Sequence, residues 1–402
     1  MKRLFAALMS IGVILSLVTG YLVFLKTEGK LYSPYTEIEN ADWLIPLNSG
    51  YSNIEKISED DENSWYIATS SDFTSTDVTY EILDENFQKQ GTYTSLELMT
   101  DGLGYISTYV SDRTETEGLM DSKGNEILAP IYAYVSAPKD GYIAAVYLRS
   151  APKASVVFFS ENGKRLFSEE KINVTSSTSI INAGNGVFAI LAGDENAQTT
   201  IYDAKTKSVT KTLDNILMIS DLGNGNFAAE PRQSHSAVTI YDSSFNYVTT
   251  LPENLMAPQA FSEGKAIAPK SYYSDDEAGY VCLDENFNPL FDIYATHDAI
   301  SFSEGKAICY NDDSVFCIDS SGETIYRREL RKSFGTISPF FVCDSFYKNG
   351  KTVLCDGKLF GIADENGNWV IKPHFTILKY ASENTYIAAT DSLTTGVLRI
   401  KN

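Results

Sequence analysis

The seven residues Phe-Ser-Glu-Gly-Lys-Ala-Ile occur twice in this chain, at positions 261–267 and 302–308, an offset of 41 residues. An identical repeat at that separation belongs to chains built from self-similar units. A unit of that size cannot bury its own apolar face and packs against the next copy, in a stack or a ring. A turn motif follows the same period: a short apolar run, then Asp, two residues, and Gly or Phe. It is led by Asp84, Asp121, Asp284, Asp319 and Asp364, with a Ser variant at Ser160 and looser copies at Asp203 and Asp242. Successive spacings of the eight leads are 37, 39, 43, 39, 42, 35 and 45 residues.

Hairpin chemistry explains the motif. Asp at the first turn position accepts a backbone N–H two residues on, and Gly or Asn takes positive φ. The flanking runs are β-prone, as in Val315-Phe316-Cys317-Ile318 before one turn and Thr324-Ile325-Tyr326 after it. A second hairpin lies upstream in each unit. It turns at Asp140-Gly141, Asn185-Gly186, Asn224-Gly225, Glu263-Gly264, Glu304-Gly305 and Asn349-Gly350, and runs into a strand rich in small apolar residues. Asn-Gly between apolar runs is the strongest short hairpin signal. The alanines there predict a strand packed closely against a neighbouring sheet.

Four short antiparallel strands in each unit of about 40 residues is the arithmetic of a propeller blade. The predicted fold is all-β, a β-propeller of seven to nine four-stranded blades over residues 31–402. The C-terminal segment 386–400 supplies strands of a last unit but lacks its final one. Residues 40–46, Asn-Ala-Asp-Trp-Leu-Ile-Pro, echo the strand after the Asp364 turn, Asn-Gly-Asn-Trp-Val-Ile-Lys-Pro at 366–373. A strand near 43–46 is therefore expected to complete that unit, which would leave no exposed edge at the seam.

These residues carry a family resemblance. The run from Gly361 through Asp364, Gly367 and Trp369 to Pro373 resembles the WG-repeat (KWG) unit of bacteria, as does Gly118 through Asp121 to Pro130 and Tyr132. The Phe-Ser-Glu-Gly-Lys-Ala segments are similar to the same family's second block. The resemblance covers about residues 50–402. The Trp-Gly pair itself is absent, and units between about 150 and 250 diverge. What the resemblance implies is a repeat scaffold, often on surface proteins; it carries over no catalytic, cofactor-binding or metal-binding residue.

Residues 4–25, from Leu4 to Leu25, are uncharged and mostly apolar, with Lys2 and Arg3 before them and Lys26 after. Twenty-two residues is the length of a bilayer-spanning helix and long for a secretory signal. Its thirteen Leu, Ile, Val and Phe residues favour insertion by about 4–8 kcal/mol. Residues 1–30 are thus expected to form a signal anchor, or a signal peptide cleaved near Val18-Thr19-Gly20. The charge bias places the remaining chain outside the cell membrane, single-pass, or secreted if cleavage occurs. With 53 acidic and 32 basic residues the net charge is −21. That excludes the basic footprint nucleic-acid binding requires.

Side chains with reactive chemistry are few. The five cysteines, Cys282, Cys309, Cys317, Cys343 and Cys355, have no metal-type spacing. Cys343 and Cys355 flank a turn, so a cross-strand disulfide is one reading; buried apolar thiols are the other. His235, His297 and His374 have no paired spacing. Asp-Glu-Asn at Asp84, Asp194, Asp284 and Asp364 is oxygen-rich but reads as turn chemistry rather than a calcium loop. Acidic runs at 59–62 and 275–277 read as solvated loops. The Arg327, Arg328 and Arg331 group is the densest basic cluster of the repeat region. No catalytic, cofactor or metal residue is assigned.

The expected function is therefore non-catalytic: an extracytoplasmic binding or scaffolding protein. Its partner would be a cell-envelope glycan, a peptide or another surface protein, and its membrane contact the N-terminal helix. Segments 70–78, 111–117, 269–279 and 331–339 are the expected binding rim. The alternative is a glycan hydrolase or lyase with a site at one channel mouth. That would need two carboxylates, or a His with a carboxylate, converging there.

Overall fold

The computed structural model describes residues 38–401 apart from 59–63, 72–77, 101–103, 111–115, 149–153, 170–171, 173, 176, 193–197, 234–236, 272–278, 296, 332–344 and 391–393. The N-terminal apolar segment lies outside the described residues.

The described chain is almost wholly strand, in nine antiparallel sheets taken up in sequence order. These are blades 1 to 9, covering residues 53–93, 97–132, 134–169, 179–213, 216–250, 265–293, 298–329, 351–375 and 377–400. Blade 9 is completed by Ala41–Ile45, which lies antiparallel to Thr395–Ile400 with Ala41 opposite Ile400 and Trp43 opposite Leu398. The two ends of the chain therefore share one sheet. Among the described residues seven blades have four strands and blades 6 and 8 have three. In blade 6 the missing first strand is the stretch around Pro258. It still donates from Met256 N and Gln259 N to Pro269 O and Ile267 O at 2.9 Å, but Pro has no N–H to continue a ladder.

The core lies between the sheets, as one apolar cluster per junction. Ile57, Ile67, Ile82 and Leu98 with Ile106 and Met120 join blades 1 and 2. Comparable clusters join each following pair, and a larger one runs from blade 7 through blade 8 to blade 9. Ile54, Tyr66, Ala68 and Leu83 of blade 1 pack with Ala381, Ile387 and Val397 of blade 9. That last junction closes the ring.

The small second-strand residues are where the sheets approach each other. Ala68, Ala144, Ala189, Ala228, Ala268 and Ala388 are all fully buried. At each, a larger side chain would have to displace the facing blade.

Three glycines mark another close approach. A Cβ on Gly118 would lie 2.6 Å from Leu128 O and from Pro130 N. One on Gly361 would lie 2.6 Å from Ile371 O and 2.8 Å from Pro373 N, and one on Gly396 would lie 2.5 Å from Ile45 O. In each case the register shifts where the third strand meets the fourth. Glycine opposite the proline-containing bulge of the fourth strand is thus the physical content of the motif running from Gly361 to Pro373. Blade 9 carries the same device, with its two halves at opposite ends of the chain.

Candidate binding face

Strand direction sorts the connections onto two faces of the ring. The links from first to second strand and from third to fourth lie on one face, here the turn face. The links from second to third strand, and from each blade to the next, lie on the other, the loop face.

The turn face is short and tightly bonded. At the third-to-fourth link Asp84 Oδ1 accepts the N–H groups of Asn86 at 2.9 Å and Gln88 at 2.8 Å, while Phe87 N–H donates to Asp84 O at 2.8 Å. Phe87 sits at φ +60°, and the ladder slips by one residue beside it. This is a turn followed by a bulge, with the carboxylate bonded to backbone. Asp121, Asp242, Asp284, Asp319 and Asp364 repeat it. Bonds to the charged form hold the Asp242, Asp284 and Asp319 carboxyls below the usual range; at Asp242 a larger opposing push from burial is outweighed by the Asn246 and Ser244 N–H donors together. The Asp84, Asp284 and Asp364 carboxylates are thus engaged by their own turns. Among the described residues no cluster of His, Cys, Asp or Glu has the arrangement of a metal site.

The first-to-second links explain the duplicated heptapeptide. Glu263-Gly264, Glu304-Gly305 and Asn349-Gly350 each have positive φ at both residues, the two-residue turn whose twist matches a hairpin. The central amides of such a turn find no partner within their own hairpin, and the preceding blade supplies one. Gly305 N–H donates to Glu263 Oε2 at 2.9 Å; Asn349 N–H and Gly350 N–H donate to Glu304 Oε1 and Oε2 at 2.7 and 2.8 Å. Ser262 Oγ donates to Phe302 O at 2.6 Å, and Ser303 Oγ donates to Tyr347 O. Lys265 Nζ lies 5.7 Å from the Phe302 ring centre and Lys306 Nζ 5.3 Å from that of Tyr347. Phe, Ser, Glu and Lys of the heptapeptide therefore all act across a blade junction. Asn185 N–H donates likewise to Asp140 Oδ2 at 2.9 Å. Asn224-Gly225 differs: it lies in a longer link in which Gly223 also takes positive φ.

The loop face is the contrary case. Segments 70–78, 111–117 and 269–279 all join second to third strands, and 331–339 joins blade 7 to blade 8. Their strand ends place all four on this one face. Most of their residues lie outside the described set, as do Asp194 and His235.

The described residues at this end include one deeply placed carboxylate. Glu117, 9% exposed, accepts Val135 N–H at 2.8 Å through Oε2 and the Tyr109 hydroxyl at 3.4 Å through Oε1. Burial raises its proton affinity, and the Val135 N–H offsets part of that. It ties blade 2 to the first strand of blade 3. Nothing in the sequence marked it, since its partners are about 8 and 18 residues away and one is a backbone amide. At blade 7, His297 Nε2 contacts Asp312 Oδ1, and the Tyr280 hydroxyl donates to His297 O at 2.7 Å. The Asp312 side chain is 80% exposed, which makes this a solvated surface pair. His374 stands apart, half-buried in the outer strand of blade 8. Burial first, then the neighbouring Lys372, lowers its proton affinity.

The arginine group does not converge. Arg327 covers the Phe316 ring at 4.3 Å, Arg328 covers Trp369 at 4.7 Å, and Arg331 pairs with Asp356. Cys282, Cys309, Cys317 and Cys355 are buried free thiols. Cys355 accepts from Gly357 N–H instead of pairing, and Cys343 lies outside the described residues. Burial pushes Cys282, Cys317 and Cys355 up to about 11.

No curated protein matches the chain. Solved structures similar to it include Sqt1 of Saccharomyces cerevisiae, at 11% identity and TM-score 0.38 over 91% of this chain and 98% of that one. An uncharacterized protein of Listeria monocytogenes EGD-e, lmo1340, aligns at 12% identity and TM-score 0.39, over 74% and 100%. The β-propeller domain of the Trilobed protease of Pyrococcus furiosus aligns at 13% identity and TM-score 0.39, over 71% and 100%. The family model of WG-containing repeats matches residues 118–148 and 360–391, the first match opening at Gly118 and the second one residue before Gly361. The chain thus contains WG-type repeats within a nine-blade β-propeller.

Proposed function

We propose that this chain is a non-catalytic, extracytoplasmic binding or scaffolding protein. It is held at the cell membrane by residues 4–25, or released where that segment is cleaved. Its loop face meets a cell-envelope glycan, a peptide or another surface protein. The asymmetry of the two faces carries the reading. Apart from the link at 57–65, the turn face uses short links whose carboxylates and amides are bonded to the ring itself, while the loop face gathers most of the long links. The sequence of residues 4–25 supports the compartment.

The test is capture of the purified chain on cell-wall glycan, envelope peptides and whole envelopes. A companion variant has 72–77 and 272–278 replaced by short Gly-Ser links, and a control carries Lys123→Ala and Lys164→Ala on the turn face. Binding lost in the first and kept in the second is expected. Binding indifferent to the loops, or absent at high micromolar concentration, sinks the proposal. The His297–Asp312 contact is the observation that favours a hydrolase or lyase instead. Release of reducing ends from envelope glycan, abolished by Asp312→Asn, would establish that reading.

A further inference from the structure

The chain enters the ring at a defined place. Ala41 lies opposite Ile400, and Asn40 O accepts Lys401 N–H at 2.8 Å. Ile400 N–H donates to Asn384 O, in the first-to-second link of blade 9. Asn384 also accepts Lys351 Nζ from blade 8 at 3.2 Å. All of these contacts are on the turn face. Ile38, 8% exposed, is fixed in the apolar cluster shared by blades 7, 8 and 9, so the entry point is packed into the ring. Between Leu25 and Ile38 stand twelve residues, 26–37, which reach at most about 40 Å when fully extended.

We infer that the ring is mounted turn face toward the bilayer and loop face away from it. The inference rests on residues 4–25 acting as an uncleaved anchor. Reversing the ring would oblige the linker to run back along the full height of blade 9, about 20 Å for strands of six residues. That uses half of its reach before the membrane is met.

The turn face does not adsorb to lipid. Its links carry the Asp84, Asp121, Asp242, Asp284, Asp319 and Asp364 carboxylates, and the acidic run 59–62 joins two strands on the same side. An anionic leaflet repels such a face within a Debye length, so the linker sets the stand-off. The occupant of the loop face must then arrive from the distal side.

The test uses the full chain reconstituted in vesicles that contain an acceptor-labelled lipid. One form carries a dye tag after Asn402, next to the turn face. A second carries it between Asp312 and Asp313, on the loop face. Unchanged melting of both confirms an intact ring. Energy transfer from the C-terminal dye at least about twofold above that from the loop-face dye is expected for faces some 20 Å apart. Equal transfer, or stronger transfer from the loop face, overturns the orientation. Loss of the chain from vesicles in an alkaline wash overturns the anchor instead, and the orientation with it.

Discussion

Replacing Glu304 tests whether the blades are coupled through their turns. Its carboxylate takes two N–H groups of the next blade, from Asn349 and Gly350, at 2.7 and 2.8 Å. Bonds to a charged acceptor contribute about 1.5–3 kcal/mol each when dry. Glu304 is solvent-exposed, so water competes and the pair together is worth about 1–2 kcal/mol. Glu304 also sits at φ +51°, where a side chain is strained by about 1 kcal/mol. Glu304→Ala therefore loses the acceptor and keeps the strain, whereas Glu304→Gly loses the acceptor and relieves the strain. Amide exchange across residues 345–352, read by mass spectrometry, should rise about 5- to 30-fold in Glu304→Ala. Glu304→Gly should be the more stable of the two to urea by about 1 kcal/mol. Unchanged exchange at Asn349 and Gly350 would refute the coupling, and equal stability of the two variants would refute the strain.

Gly361→Ala should destabilise the ring by about 1–3 kcal/mol in urea, because the new methyl meets backbone rather than a side chain that could swing away. Gly118→Ala should behave alike. Glu117 has its proton affinity raised by burial, so its protonated form favours the fold at low pH and that contribution is lost as pH rises through the folded-state value. Glu117→Gln should then gain on the wild type as pH rises from 4 to 8 in thermal melts; a constant gap refutes this. The Asp284 and Asp319 carboxylates act oppositely: their contribution is present above the ordinary carboxylate range and fades as pH falls below it. Buried thiols pushed to about 11 at Cys282, Cys317 and Cys355 should resist a thiol-reactive dye at pH 8 until denaturant is added. Rapid native labelling of these three, read by peptide mapping, would contradict their burial.

The blade and its links were legible in the sequence because they are local. Asp accepting the N–H two residues on, and Asn-Gly or Glu-Gly taking positive φ, need no knowledge of the rest of the chain. Counting the turns led to a ring of seven to nine blades, and nine are present. The shortfall of strands in blade 6 could have been read from Pro258, which interrupts the pattern. The candidate site was legible only as a set of long links. Which face they share follows from strand direction, which the hairpin pattern contains. The chemistry between blades was hidden: Glu304 with Asn349, Glu117 with Val135 and Arg328 with Trp369 all join residues that only the packing of consecutive blades brings together.

The fourth residue of the Asp turn shows why one family pattern recognises only part of such a ring. Where that residue is Phe, its ring packs within its own blade, as Phe87 stacks on Tyr66 at 4.6 Å and Phe287 meets Phe261 at 5.5 Å. At two of the Gly turns an aromatic ring from the preceding blade's outer strand covers the glycine, Phe291 over Gly322 and Tyr326 over Gly367, each 2.6–2.7 Å from where a Cβ would stand, whereas Ile127 covers Gly163. Lys207, the positive-φ residue one place further along the longer Asp203 turn, likewise lies over Phe167 at 4.8 Å. The outer strands before the Phe245 and Phe287 turns carry Lys211 and Thr249 at the position that Phe291 and Tyr326 hold elsewhere. The side chain that fills a junction thus comes from one repeat or from the other. The unit of packing is therefore the junction, half from one repeat and half from the next. Selection that preserves junction volume lets single repeats drift, and the two matched repeats open at the Gly118 and Gly361 sites, where backbone itself fills the space and no exchange of side chains can compensate.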